Sequence, residues 1–153
     1  MASISASGTG FAVPILGLAI LPLLGAAASA PPASVDVSVS GLRSTKGQIL
    51  VCLTTSPRAF PDCSKDKASV RMAIKAADAA NFAIPAPANG TYAIAIVHDE
   101  NGNNRMDKML FLPREGFGFS RNPAITTGPP SFKAASFAVT GEVQQAIKMK
   151  YML

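Results

Sequence analysis

The segment His98-Asp99-Glu100-Asn101-Gly102-Asn103-Asn104-Arg105-Met106-Asp107 follows directly on the apolar run Tyr92 to Val97. Oxygen-bearing side chains at Asp99, Asn101, Asn103 and Asp107 recur at two- and four-residue steps, a spacing that wraps carboxylate and amide oxygens around one hard cation such as calcium. The segment is not an EF-hand. Counting Asp99 as the first position, Asn104 stands where that loop needs its turn glycine and Leu110 where it needs the bidentate glutamate. What remains is a D-x-N-x-N-x-x-x-D loop with few formal charges, which implies weak calcium binding. A metal-free loop, in which Asp and Asn side chains bond the backbone as Asx-turns, ranks slightly ahead of that reading.

His98 is the only histidine, so any triad or zinc site has to be built around it. Alternation from Tyr92 puts positions 92, 94, 96 and 98 on one face, which points His98 toward the edge of the core. A neighbour such as Glu115 or a loop backbone group is expected to hold its ring. Ser120 and Ser131 lie in no G-x-S-x-G elbow, and no catalytic residue is assigned. A hydrolase built on His98, Asp99 and Glu115 ranks behind the non-enzymatic readings.

In Glu115-Gly116-Phe117-Gly118-Phe119-Ser120, glycines alternate with aromatic rings. An extended backbone sends Phe117 and Phe119 the same way, either as a platform for a sugar or peptide or as a lid folded over one end of the domain. His98, Glu115, Phe117 and Phe119 are thus the candidate ligand contacts. Tyr92, two residues after Gly90, sits where its hydroxyl could tie a strand entry to the backbone.

These residues need strands to position them, and the periodicity supplies strands. Ser34 to Ser40 alternates Val35, Val37 and Val39 with Ser and Asp, and Gly47 to Thr54 is continuously apolar, as a central strand would be. Ser69 to Ala76 alternates again, with helical ambiguity in its Ala-rich tail. Phe82 to Ile84 and Thr91 to His98 follow, the latter after an Asn89-Gly90 turn. Residues 99–130, rich in Gly, Pro and Asn, read as one long excursion. Ser131 to Val139 and Gln144 to Leu153 complete about seven strands, and the fold class is an all-β, single antiparallel β-sandwich.

Residues 1–30 read as a secretory signal peptide. Phe11 to Leu24 is apolar but too short and too broken by Pro14 and Pro22 to span a bilayer, and small residues lead to cleavage after Ala28 or Ala30. Residues 31–153 then form one exported domain, periplasmic or secreted, without a stable membrane span. It keeps all 14 basic and 9 acidic residues, a formal charge of +5. The basic residues are scattered, which excludes a nucleic-acid footprint and leaves loose attraction to a cell-envelope polymer or protein as the partner class. Cys52 and Cys63 are the only cysteines, and in an oxidising compartment the pair favours a disulfide over a metal site.

The residues PANGTYAIAIVHDENGNNRMD (87–107), PREGFGFSRN (113–122) and PSFKAASF (130–137) resemble the bacterial family known as domain of unknown function 2141. Its pattern is a G-x-Y-A strand, a His-Asp-x-Asn-x-Asn loop ending in Asp, an E-G-[YF]-G-F-S segment and a P-x-F-x-x-A-x-F strand. The resemblance covers roughly residues 35–152. It implies a small exported β-sandwich of the transthyretin or carboxypeptidase-regulatory (Ig-like) type and implies no activity. Asn104 departs from the family pattern, where glycine is frequent. The expectation is a non-enzymatic exported module with a weak calcium-binding loop. The alternative is a carbohydrate- or peptide-binding module of the cell envelope using Phe117 and Phe119.

Overall fold

Valines at every second position give β1 (Ser34–Ser40) one apolar face, and the same alternation or continuous apolarity forms β2 (Gln48–Thr54), β3 (Val70–Lys75), β4 (Asn81–Pro85) and β5 (Gly90–Asp99). Two short pieces, β6 (Lys108–Met109) and β7 (Leu112–Pro113), pair with each other. They are followed by β8 (Gly116–Phe119), β9 (Phe137–Val139) and β10 (Glu142–Lys148). The structure is a computed structural model that describes residues 3–5, 7–10, 32–104, 108–109 and 112–153. The leader expected at residues 1–30 lies largely outside the described residues, as does Asp107. No helix among the described residues is long and apolar enough to cross a membrane.

Among the described residues the chain is all-β with almost no helix and builds two main sheets. One has three strands in the order β10-β1-β4. The other has five, running β3-β2-β5-β8 with β9 paired to the start of β5. Their facing side chains share one core. Val35, Val37, Val39, Ile84 and Ile147 from the first sheet meet Ile49, Val51, Leu53, Ile94 and Ile96 from the second. A smaller core lies on the other face of the five-stranded sheet, where Phe60, Phe117, Phe119 and Ala135 gather around the Cys52–Cys63 disulfide.

Three expectations are corrected. The sheets are not wholly antiparallel: β10 runs parallel to β1, from Ser34 beside Glu142 to Ser40 beside Lys148. The last strand therefore returns along the first in the same direction, a pairing that no local turn could signal. Within the supposed excursion, Gly116–Phe119 is a strand hydrogen-bonded to β5. It went unseen because two of its four residues are glycines, which carry no side chain to show a period. Finally, the strand expected over 131–139 is a strand only at Phe137–Val139. Its first half is a helical turn, α1 (Phe132–Ala135), whose N-cap Ser131 accepts the Ala134 N–H on its hydroxyl.

The Ala-rich tail after β3 likewise leaves the sheet, as a 3₁₀ turn over Ala76–Asp78 that carries the chain to β4. Gly116 and Gly118 have a packing reason to be glycine. A Cβ on Gly116 would overlap the Tyr151 ring, and one on Gly118 would sit 2.7 Å from Ile147. The two glycines let the C-terminal segment lie directly on the backbone of β8.

Candidate functional site

The end of β5 carries the residues with chemical potential, and the register places them. Pairing of β2 with β5 sets Ile49 opposite His98 and Gln48 opposite Asp99. Because successive side chains on a strand alternate, His98 enters the main core and Asp99 the opposite face. Both are fully buried.

His98 is held at both ring nitrogens. Nε2 lies 2.8 Å from the Lys46 carbonyl, which can only accept, so the Nε2 proton points there. Nδ1 then accepts the Tyr151 hydroxyl at 2.8 Å, and that hydroxyl in turn accepts the Arg43 N–H at 3.1 Å. Burial pushes the Tyr151 hydroxyl up from its ordinary value, which keeps it a donor. Imidazole and phenol thereby join the β1–β2 connection, β5 and the C-terminal segment. Neither ring nitrogen is left for a substrate.

Asp99 serves as an internal anion for its own loop. Oδ1 accepts the N–H groups of Gly102 at 2.8 Å and Asn103 at 3.1 Å, while Oδ2 accepts Asn104 N–H at 2.7 Å and Gln48 Nε2 at 2.9 Å. Burial works to raise its pKa, but the bonds from Gln48, Asn104, Asn103 and Gly102 outweigh burial and hold it below the usual carboxylate value. Four donors thus share the two carboxylate oxygens. Asn101 Oδ1 accepts the Asn103 N–H at 3.0 Å, an Asx-turn. Asn104 adopts a left-handed φ of 60°, which asparagine tolerates better than other non-glycine residues. Of the expected calcium set, Asp99, Asn101 and Asn103 are thus brought together, while Asp107 lies outside the described residues. Among the described residues no group of three or more His, Cys, Asp or Glu side chains is placed to hold a metal ion.

Arg43 is the residue that sequence reasoning missed. Its guanidinium is paired with Glu100, donates to the carbonyls of Leu153 at 2.6 Å and Arg114 at 3.0 Å, and stacks 4.6 Å over the Tyr151 ring. The paired guanidinium, helped by the Ser44 hydroxyl, pulls the Glu100 carboxyl down to about 2. Glu115 is buried nearby, and its charge also acts on Arg43. No spacing rule connects position 43 with positions 100, 114 and 151. The one available signal was a lone arginine between two predicted strands.

The remaining motif residues are also committed to the fold. Tyr92 donates its hydroxyl proton to the Ala88 carbonyl at 2.9 Å, closing the strand-entry corner. Ser120 Oγ accepts the Ile94 N–H at 2.9 Å and donates to the Ala135 carbonyl at 2.6 Å, so this serine fastens α1 to β5. Phe117 and Phe119 do point the same way, with centroids 5.9 Å apart, but inward: they are 4% and 5% exposed. Phe60 packs on Phe119 at 5.8 Å and on Phe132 at 6.1 Å. Their faces are spent on other side chains.

A family model described as an uncharacterized protein conserved in bacteria, DUF2141, matches residues 37–147. The chain belongs to the DUF2141 family. No curated protein and no solved structure matches it. The DUF2141 match runs from Val37 within β1 to the penultimate residue of β10 and includes the His98–Asn104 loop and the β8 segment. Arg43 also falls within the matched span, whereas Tyr151 lies beyond it.

Proposed function

We propose that this DUF2141 chain is an exported, non-enzymatic β-sandwich of the transthyretin or carboxypeptidase-regulatory type that works by binding, in the periplasm or outside the cell. One observation carries the reading. Of the residues a hydrolase would be built on, His98 and Asp99 are fully buried, as is the candidate nucleophile Ser120, and all three have hydrogen bonds directed at the chain's own backbone and side chains, while Glu115 is buried as well. Export is supported by the apolar, small-residue leader read from the sequence and by the Cys52–Cys63 disulfide, a bond that persists in oxidising compartments. In this reading the His98–Asn104 motif is a clasp that orders one end of the molecule, and the Asp99 carboxylate takes the place a bound ion would have.

The test is thermal unfolding with calcium and with chelator, together with a hydrolase screen. The clasp reading expects a midpoint that neither addition moves. A rise at millimolar calcium would return Asp99, Asn101 and Asn103 to the role of calcium ligands. Hydrolase activity that disappears in a folded His98→Ala variant would overturn the non-enzymatic reading.

A further inference from the structure

The two sheets meet differently at their two edges. At one, β8 and the segment after β10 are stitched together: Phe117 N–H donates to the Lys150 carbonyl at 3.0 Å, and Lys150 N–H donates to the Phe117 carbonyl at 2.8 Å. The Asn122 side chain covers β10 further along, donating to the Ala146 carbonyl at 2.8 Å and accepting the Lys148 N–H at 2.7 Å. At the other edge lie β3 and β4, each paired on one side alone among the described residues. There β4 is blunted by Pro85, which has no N–H to give. By contrast, β3 presents six residues without proline or glycine.

The two faces of β3 differ in chemistry. Val70, Met72 and Ile74 point to the main core yet remain half-buried, as does Phe82 across the gap on β4, so the core is incompletely covered here. Arg71, Ala73 and Lys75 point outward and are exposed. The ion pair formed among the described residues joins Arg43 to Glu100 and leaves both of these cations unmatched. A second copy of this chain is a poor occupant, because an antiparallel partner β3 would bring Arg71 and Lys75 against like charges.

We propose that β3 is a strand-addition site for an extended segment of another protein that alternates apolar and acidic residues. Its backbone would take up the free edge of β3, its apolar residues would complete the core beside Met72, Ile74 and Phe82, and its carboxylates would meet Arg71 and Lys75. The inference rests on the binding-module reading and gives it a surface. Its test uses Arg71 and Lys75, whose side chains take no part in the hydrogen bonds of the His98–Asn104 clasp, so it can fail while that reading stands.

The probe is a synthetic peptide of about eight residues alternating valine and glutamate, compared with valine–serine and valine–lysine versions. Binding is followed through backbone amide resonances. The expected result is shifts confined to Val70–Lys75 and their β2 neighbours, with roughly tenfold weaker binding of the serine peptide and none of the lysine peptide. Binding of the glutamate peptide should weaken with added salt, a reading that needs no variant. An Arg71→Glu, Lys75→Glu double variant should exchange the preference for the lysine peptide. Equal binding of the glutamate and lysine peptides, shifts centred elsewhere, or no binding at millimolar peptide would each overturn the proposal.

Discussion

The Tyr151 hydroxyl donates to His98 Nδ1 across 2.8 Å, joining residues 53 positions apart in the chain. Its ring also occupies the space left open by the missing side chain of Gly116. One aromatic residue thus completes the hydrogen bonding of a buried imidazole and covers the backbone of β8. A Tyr151→Phe substitution keeps the ring but leaves His98 Nδ1 and the Arg43 N–H without their partner. We expect a loss of about 1–3 kcal/mol in urea unfolding. A loss below about 0.5 kcal/mol would mean that water replaces the hydroxyl at no cost.

Gly116→Ala should destabilise by a comparable amount, because the new methyl group meets the Tyr151 ring. In a Tyr151→Ala background that clash is gone, so the two effects should be strongly non-additive. A double-mutant cycle with a coupling energy near zero would contradict the contact.

Replacing Asp99 with Asn keeps the shape but removes the anion and turns an amide donor toward other donors. The expected cost is about 2 kcal/mol or more. Amide exchange should quicken at Gly102, Asn103 and Asn104, whose N–H groups Asp99 now receives. Unchanged protection at these three amides would show that the carboxylate does not organise the loop.

Acid should loosen the same end of the molecule. The Glu100 carboxyl is held at about 2 by Arg43, against an ordinary 4.5, and Asp99 is shifted in the same direction. Folded-state values below the unfolded ones mean that these groups contribute stability above the ordinary carboxylate range. That contribution fades as pH falls through the range toward about 2. The Arg43 side chain is 39% exposed, so solvent screening limits the Glu100 contribution to about 1 kcal/mol. A Glu100→Gln variant should have a flatter acid limb between those limits. An unaltered limb would show that the pair contributes nothing to folding.

Removing the disulfide should act on the second core. Cys52 and Cys63 close a loop of sequence separation 11 that carries Phe60 onto Phe119. A Cys52→Ala, Cys63→Ala variant should lose about 3 kcal/mol. Fluorescence of an apolar dye should rise as Phe60, Phe119 and Phe132 become accessible. A stable variant with no dye binding would show that the aromatic cluster holds the loop unaided.

Residue patterns made the backbone of this molecule legible wherever side chains alternate on one strand. Val35, Val37 and Val39 announce β1, and Tyr92, Ile94 and Ile96 announce β5, with His98 carried onto the same face. The Tyr92 corner and the cysteine pair were equally plain, because both depend on neighbours close in sequence. What stayed hidden depends on distant partners. Strand β8 reads as a loop until Tyr151 and Ile147 are seen filling the gaps at its glycines. The spacing of Asp99, Asn101 and Asn103 suits a cation and an Asx-turn equally well. The deciding donors include Gln48, whose approach depends on the β2–β5 register.

The parallel pairing of β1 with β10 sets the order in which the molecule can assemble. A chain emerging from its N-terminus presents Val35, Val37 and Val39 early, but Ile147, which packs with them in the main core, arrives only with the last strand. The three-stranded sheet therefore cannot be completed on the partial chain, and its final step brings together segments separated by more than a hundred positions. The five-stranded sheet, by contrast, has all its strands once Val139 is made, so the two layers differ in when their last member becomes available.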